Sequence, residues 1–118
     1  MHRTIRPDWL VIEATGMADP GNIVGTLQAY CHCFDSLRTI VLVDADRWEE
    51  LYAVMEPLLV SQVRAADTIL LNKVDLVNGA KSEALVKEIT NLNGKAAVYL
   101  TSAVVGIPDC VWEEALGR

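Results

Sequence analysis

The sequence has few of the features that mark membrane proteins or nucleic-acid-binding proteins. It contains no run of Lys or Arg, and its 16 Asp+Glu outweigh its 10 Lys+Arg to give a net charge of -6 over 118 residues. This balance disfavours binding to the phosphate backbone of DNA or RNA. The longer apolar runs, such as those at 39–43 and 68–71, are far shorter than the roughly 20 residues that a membrane helix needs.

Cysteine is also scarce. The chain has three cysteines, an odd number, and no basic and apolar leader opens the sequence. We therefore expect a reducing, cytoplasmic environment rather than a disulfide framework. A domain of this length buries somewhat over ~60% of the surface of its unfolded chain, so a core can form without metal or disulfide cross-links. The composition predicts one globular domain over 1–118.

Four short, almost continuously apolar runs alternate with helical patterns. The runs cover 9–12, 39–43, 68–71 and 97–100. Continuous apolar character is typical of parallel strands that helices cover on both faces. The order of strands and helices predicts an α/β fold, with a mostly parallel sheet of about four strands and flanking helices.

The helical segments carry start and stop signals. Asp19 and Pro20 predict the start of a helix that ends near Cys33. Asp46 followed by Glu49 resembles a capping box, and Pro57 is expected to kink that helix or to start a second one. The apolar positions Leu85, Val86, Ile89 and Leu92 mark a further helix, for which Asn93-Gly94 is a normal stop signal, and a last short helix is predicted after Pro108.

The strongest functional motif is Asn72-Lys73-Val74-Asp75, directly after the third apolar run. Ligands of open α/β sheets bind beyond the carboxyl ends of the strands. A carboxylate at Asp75 can accept hydrogen bonds from guanine N1–H and the 2-amino group, which adenine does not offer. Asn72 would face the purine N7 edge and the stem of Lys73 would lie along the base. Alternatively, Asn72 and Asp75 only form a turn after the strand.

Two weaker signals follow other apolar runs. Ser102-Ala103 can form a tight turn whose backbone N–H donates to guanine O6. Glu13 precedes Gly16, and this pattern suits an acid near Mg²⁺ or an attacking water and a backbone that approaches a γ-phosphate closely. The structural alternative for Glu13 is a carboxylate that caps the next helix, although Asp19 already suits that role.

Together these segments resemble the CobW/HypB/UreG family of P-loop GTPases, over about residues 8–103. The resemblance implies a GTP-hydrolysing domain that serves metal insertion or cobalamin-related metal handling. It implies GTP or GDP and Mg²⁺ as cofactors, a metal-receiving client protein, and dimerisation or a partner chain that supplies a strand. Glu13 and Gly16 would lie at the γ-phosphate and magnesium. The resemblance is carried by 11–20, 41–45, Gln62 with Ala66-Asp67, 71–76 and Leu92-Asn93.

The sequence departs from this family in two respects. It contains no Gly-x-x-x-x-Gly-Lys-Ser/Thr run, whose amides and lysine cradle the phosphates. The family's Cys-x-Cys-Cys metal motif is absent as well. We therefore expect the carboxyl-terminal two-thirds of a GTPase domain, inactive as an isolated chain. The rival hypothesis is a noncatalytic interaction module derived from a GTPase.

Cys31-His32-Cys33 groups three residues of metal-ligating type. Neighbouring residues at a helix end point in different directions, so at most two of them would bind one ion unless the helix has already ended. Two buried cysteines and a capping histidine are the simpler interpretation. Binding of Zn²⁺ or another transition metal at a dimer interface is the alternative.

Overall fold

A computed structural model describes residues 9–16, 18–30, 36–102 and 106–116. In chain order its elements are α1 (Pro20–Tyr30), β1 (Ile40–Asp44), α2 (Trp48–Ala65), β2 (Thr68–Asn72), a 3₁₀ turn (Val74–Leu76), α3 (Gly79–Leu92), β3 (Ala97–Leu100) and α4 (Asp109–Ala115). The expected α/β class is confirmed. No helix in this part of the chain is long and apolar enough to cross a membrane.

The strands form a parallel sheet in the order β1-β2-β3. Pairing of β1 with β2 runs from Ile40 opposite Thr68 to Asp44 opposite Asn72. The central strand β2 is buried along its first four residues. Because β2 is paired with a strand on each side and is covered on both faces, its sequence is apolar without alternation.

The main core lies between one face of the sheet and the helices α2 and α3. Val43, Ile69 and Leu71 belong to it from the sheet, and Val63 and Ile89 from the helices. Residues on alternate strand positions share one face, so these contacts fix the register of the strands relative to α2 and α3. The core therefore sets where each strand ends.

Helix α2 is kinked, as Pro57 predicts. Met55 has the non-helical angles φ -130° and ψ 36°, two residues before the proline. Proline has no N–H to continue the helical hydrogen bonds, and its ring clashes with the preceding turn. Because α2 connects the parallel strands β1 and β2, it begins at their carboxyl ends and returns to their amino ends.

The predicted strand at 9–12 is wrong for the described residues. These four residues form no regular element, and their exposed fractions are 48%, 76%, 84% and 52%. Apolar character alone does not make a strand, because the backbone groups need a partner strand. Within the described ranges the sheet consequently has three strands instead of about four, and the partner of β1 there is β2.

The predicted helix boundaries are largely confirmed, with one correction. The capping box at Asp46 and Glu49 is wrong, since α2 begins at Trp48 after Arg47 and has no side-chain cap. Asp44 instead accepts the free backbone N–H groups of this turn. Helix α3 ends before Asn93 and α4 follows Pro108, as predicted. The end of the first helix near Cys33 lies outside the described residues.

Candidate functional site

The 72–75 loop follows β2 at the carboxyl edge of the sheet. Asn72 is the last residue of β2, and Lys73 has left-handed angles, φ 61° and ψ 30°. Lys73 O then accepts from Leu76 N at 3.0 Å and closes the 3₁₀ turn. Asn72 is half-buried and Asp75 is exposed. The turn therefore presents the carboxylate of Asp75 to solvent beside the sheet edge.

Backbone hydrogen bonds hold the 72–75 loop from both sides. Ala45 N donates to Asn72 O at 3.0 Å, and Val74 N donates to Thr101 O at 3.3 Å. Thr101, which is buried, also donates its N–H to Leu71 O at 2.8 Å. The loop is thus fixed between the segment after β1 and the segment after β3.

An ion pair joins this loop to the end of β1. Lys73 Nζ lies 2.9 Å from Asp44 Oδ2, and the two side chains are 48% and 23% exposed. The other carboxylate oxygen, Asp44 Oδ1, accepts from Asp46 N at 3.0 Å and Arg47 N at 3.2 Å. Burial acts to raise the pKa of Asp44, but the Lys73 ammonium and these N–H donors outweigh it and lower that pKa.

Ser102 lies next to the 72–75 loop through its neighbour Thr101. Ser102 is buried, and its carbonyl accepts from Gly106 N at 2.8 Å in an antiparallel bridge. Gly106 has φ 110°, a conformation that side chains with a Cβ rarely adopt. Ala103, the second residue of the predicted guanine O6 contact, lies outside the described residues.

Gly16 lies in a different place from the 72–75 loop, and Glu13 is exposed. Gln62 Nε2 donates to Gly16 O at 2.9 Å and to Ala18 O at 3.1 Å. Gln62 is in the last turn of α2, near the amino ends of the strands, whereas the 72–75 loop is at their carboxyl ends. The structure brings Asn72, Lys73 and Ser102 together but does not bring Gly16 to them.

No group of three or more metal-ligating side chains occurs in the part of the chain that the structure describes. Cys31, His32 and Cys33 lie outside that part, so the site predicted for them is not tested. Cys110 is a free thiol on the exposed side of α4. An open cleft of about 360 Å³ lies between α1 and the amino ends of β1 and β2, away from the 72–75 loop.

The ion pair of Asp44 and the hydrogen bonds of Thr101 and Gln62 are not predicted by the sequence. A signal was available for Asp44, since it ends a predicted strand and parallel strands end at a common edge. The contacts of Thr101 with β2 and of Gln62 with Gly16 join residues 30 and 46 positions apart. Such pairings depend on the assembled fold.

Comparisons with known proteins identify the family. The family model described as the CobW/HypB/UreG nucleotide-binding domain matches residues 1–100. The zinc chaperone YjiA of Escherichia coli (strain K12) is 40% identical over 101 residues, which are 80% of this chain and 30% of YjiA. A crystal structure of Zn(II)-bound YjiA GTPase from E. coli matches with a TM-score of 0.71, over the same shares of the two chains and at 40% identity. The chain thus spans 30% of the length of this relative and belongs to the CobW/HypB/UreG nucleotide-binding domain family.

Proposed function

We propose that this chain is the guanine-recognising part of a GTP-dependent metallochaperone domain. The supporting observation is the 72–75 loop, which is held at the carboxyl edge of a parallel sheet between the ends of β1 and β3. Such edges bind nucleotides in open α/β folds. The relationship to a zinc chaperone GTPase agrees with this function.

The proposed recognition of guanine depends on the donor and acceptor pattern of the base. The carboxylate of Asp75 accepts from guanine N1–H and the 2-amino group, and adenine lacks both donors. The stem of Lys73 covers the plane of the base, and Asn72 faces its N7 edge. The turn at Ser102 and Ala103 supplies the N–H group for guanine O6. A pocket of this kind rejects a mismatched base because its own polar groups are left unpaired.

The proposed catalytic part comprises Glu13 and Gly16. A Cβ built on Gly16 has no atom within 4 Å, so the backbone at this position is open to a close ligand such as a γ-phosphate. Glu13 is exposed and is available to hold Mg²⁺ through water. This role requires residues 13–16 to lie at the carboxyl edge of the sheet, away from the contact of Gly16 with Gln62.

We propose that Cys31, His32 and Cys33 are ligands of zinc. The zinc would be the cargo that the domain delivers to a client protein. A closed zinc site needs four ligands, so we propose that a second chain or a loop rearrangement completes this one. Zinc titration of the monomer should show weak binding or none. One tight zinc ion per demonstrated monomer would contradict the proposal.

The proposal of guanine recognition is tested by Asp75→Asn. The experiment uses a longer chain that carries a phosphate-binding loop ahead of these residues, with calorimetric titration of GDP, ADP and xanthosine diphosphate. We expect the wild type to prefer GDP to ADP. Asp75→Asn should weaken GDP binding by several kcal/mol, on the order expected for a lost paired contact, and admit xanthosine diphosphate. Asp109→Asn makes the same charge change on α4 and should leave all three affinities unchanged. Equal affinity of the wild type for GDP and ADP would overturn the proposal.

We further propose that the 118-residue chain alone does not hydrolyse GTP. It lacks the amides and lysine of a phosphate-binding loop, which position the phosphates and share their charge. Phosphate release from GTP-Mg²⁺ should match the spontaneous rate over hours. Turnover above that rate, abolished by Glu13→Ala, would show that this chain has its own catalytic centre.

A second candidate function is a noncatalytic interaction module derived from a GTPase. Two features favour it: the exposed apolar residues at 9–12, and an edge of β1 that pairs with no strand among the described residues. The upstream genomic reading frame separates the two candidates. A Gly-x-x-x-x-Gly-Lys-Ser/Thr run encoded directly upstream in frame indicates part of a GTPase, and its absence favours the interaction module.

A further inference from the structure

We propose that Asp44 is a positioning residue for guanine recognition, because its carboxylate holds Lys73 in place before the nucleotide binds. This inference rests on the proposed function of the 72–75 loop. Asp44 lies at the end of β1 directly opposite Asn72. It acts on the base through Lys73 and does not touch the base itself.

The two carboxylate oxygens of Asp44 have separate partners. Oδ1 accepts from Asp46 N and Arg47 N, which fixes the carboxylate on the turn between β1 and α2. Oδ2 faces Lys73 Nζ at 2.9 Å. A carboxylate fixed in this way offers the flexible lysine a single anchoring point.

Both the backbone and the side chain of Lys73 need to be held in place by neighbouring groups. Lys73 is the one non-glycine residue with positive φ in the described part of the chain. A lysine in this conformation is strained, and neighbouring contacts must hold it there. The long lysine side chain also has much rotamer freedom to lose when a ligand binds. The ion pair restricts that freedom in advance and so reduces the cost of binding.

The position of Nζ has a consequence for the stem of Lys73. With the ammonium turned to Asp44, the methylene groups are left to form a wall for an aromatic base. Base contact through the stem is independent of the donors and acceptors on the base edge. Asp44 should therefore affect how tightly purine nucleotides bind but leave the choice between guanine and xanthine to Asp75.

The test compares Asp44→Asn, Lys73→Met and the double variant in the same longer chain, with a phosphate-binding loop, that tests Asp75→Asn. Asparagine keeps an oxygen for Asp46 N and Arg47 N, and methionine keeps most of the stem of Lys73. GDP and xanthosine diphosphate are titrated to millimolar concentrations, and the NMR shifts of the amides at 72–76 are followed.

We expect each single variant to weaken GDP binding about two- to fivefold, the size associated with an ion pair of this exposure. The double variant should be no weaker than the weaker single variant, because the two side chains act as one unit. The ratio of GDP to xanthosine diphosphate affinity should stay unchanged in Asp44→Asn. Asp44→Glu, which restores the charge, should recover part of the affinity, and Asp46→Asn on the same turn should bind as the wild type does.

Unchanged or tighter GDP binding by Asp44→Asn overturns the inference, as do independent, multiplying losses in the double variant. A changed GDP to xanthosine diphosphate ratio in Asp44→Asn also overturns it, because it would place Asp44 at the base edge. If the wild type shows no shift with GDP, the proposed function of the loop fails, and the inference fails with it.

Discussion

At the scale of single residues, Asn93 joins three segments of the chain through one side-chain amide. Its Nδ2 donates to Val63 O at 2.8 Å and Ala66 O at 3.0 Å, at the end of α2. Its Oδ1 accepts from Lys95 N at 3.0 Å and Ala96 N at 3.1 Å, ahead of β3. The only structural role that the sequence predicts for Asn93 is a helix stop signal, because these partners are known only in the folded chain.

Asn93→Ala should therefore destabilise the fold strongly. Several half-buried backbone groups would lose their partner, and each is expected to cost about 1 kcal/mol. We expect a loss of about 2–3 kcal/mol in the free energy of unfolding, measured by urea denaturation. Asn91→Ala, on the exposed side of α3, is the matched control and should change this value by less than about 0.5 kcal/mol. Equal losses in the two variants would contradict the role of the amide.

The ion pair of Asp44 with Lys73 predicts a pH dependence of stability. The folded-state pKa of Asp44 lies below its ordinary value of 3.8. The stabilisation is therefore complete above about pH 4 and is lost as the pH falls through the folded-state pKa. The stability difference between the wild type and Asp44→Asn should be below about 1 kcal/mol at pH 7 and should shrink towards pH 3. Urea denaturation of both proteins from pH 3 to 7 measures it, and a difference independent of pH would exclude the ion pair as its cause.

At the scale of elements, the sequence predicts those whose cause is local or periodic. The apolar runs place β1, β2 and β3 to within one residue, since burial of both faces leaves a visible pattern. Pro57 predicts the kink in α2. The predictions of a strand at 9–12 and of a capping box at Asp46 are both wrong, because both depend on hydrogen-bond partners elsewhere in the fold. A strand needs a partner strand. The N–H groups before α2 donate to Asp44 instead of forming the capping box.

Helix α1 contains a glycine that contributes nothing to packing. Gly25 lies within the helix, and a Cβ built on it meets no atom within 4 Å. Glycine within a helix costs about 0.5–1 kcal/mol relative to alanine, so Gly25→Ala should raise the free energy of unfolding by about that amount.

Gly106→Ala is the contrasting variant for Gly25→Ala. Gly106 also has space for a Cβ but has φ 110°, so alanine there is strained and should lower the stability by about 1 kcal/mol. Thermal unfolding of both variants measures the two opposite changes. Stabilisation by both substitutions would show that the segment before α4 does not hold this conformation.

At the scale of the whole molecule, the chain is less compact than its length predicts. Its radius of gyration is 15.6 Å, against about 13.5 Å for a compact domain of this size. The exposed apolar residues at 9–12, which form no regular element, and the edge of β1 that no strand of the described residues covers agree with this difference. Leu42, on that edge strand, is 61% exposed. Exposed strand edges of this kind favour association between chains.

We therefore expect the isolated chain to self-associate through β1. Leu42→Lys places a charge on the edge strand and should weaken association about tenfold without unfolding the chain. Val54→Lys alters a residue of α2 that is 81% exposed and should leave association unchanged. Sedimentation velocity over a range of concentrations distinguishes the two. Equal association of the wild type and both variants would place the contact elsewhere.

The burial of β2 between two strands has a consequence for the exchange of amide hydrogens with solvent. Ile69, Leu70 and Leu71 have no exposed surface, and β2 is paired on both sides. Local fraying releases edge amides, but the amides of this strand become accessible only when the sheet separates. Their exchange rate thus measures the opening of the entire domain. At low concentration it gives the stability of a single molecule, even for a chain that associates through its edges.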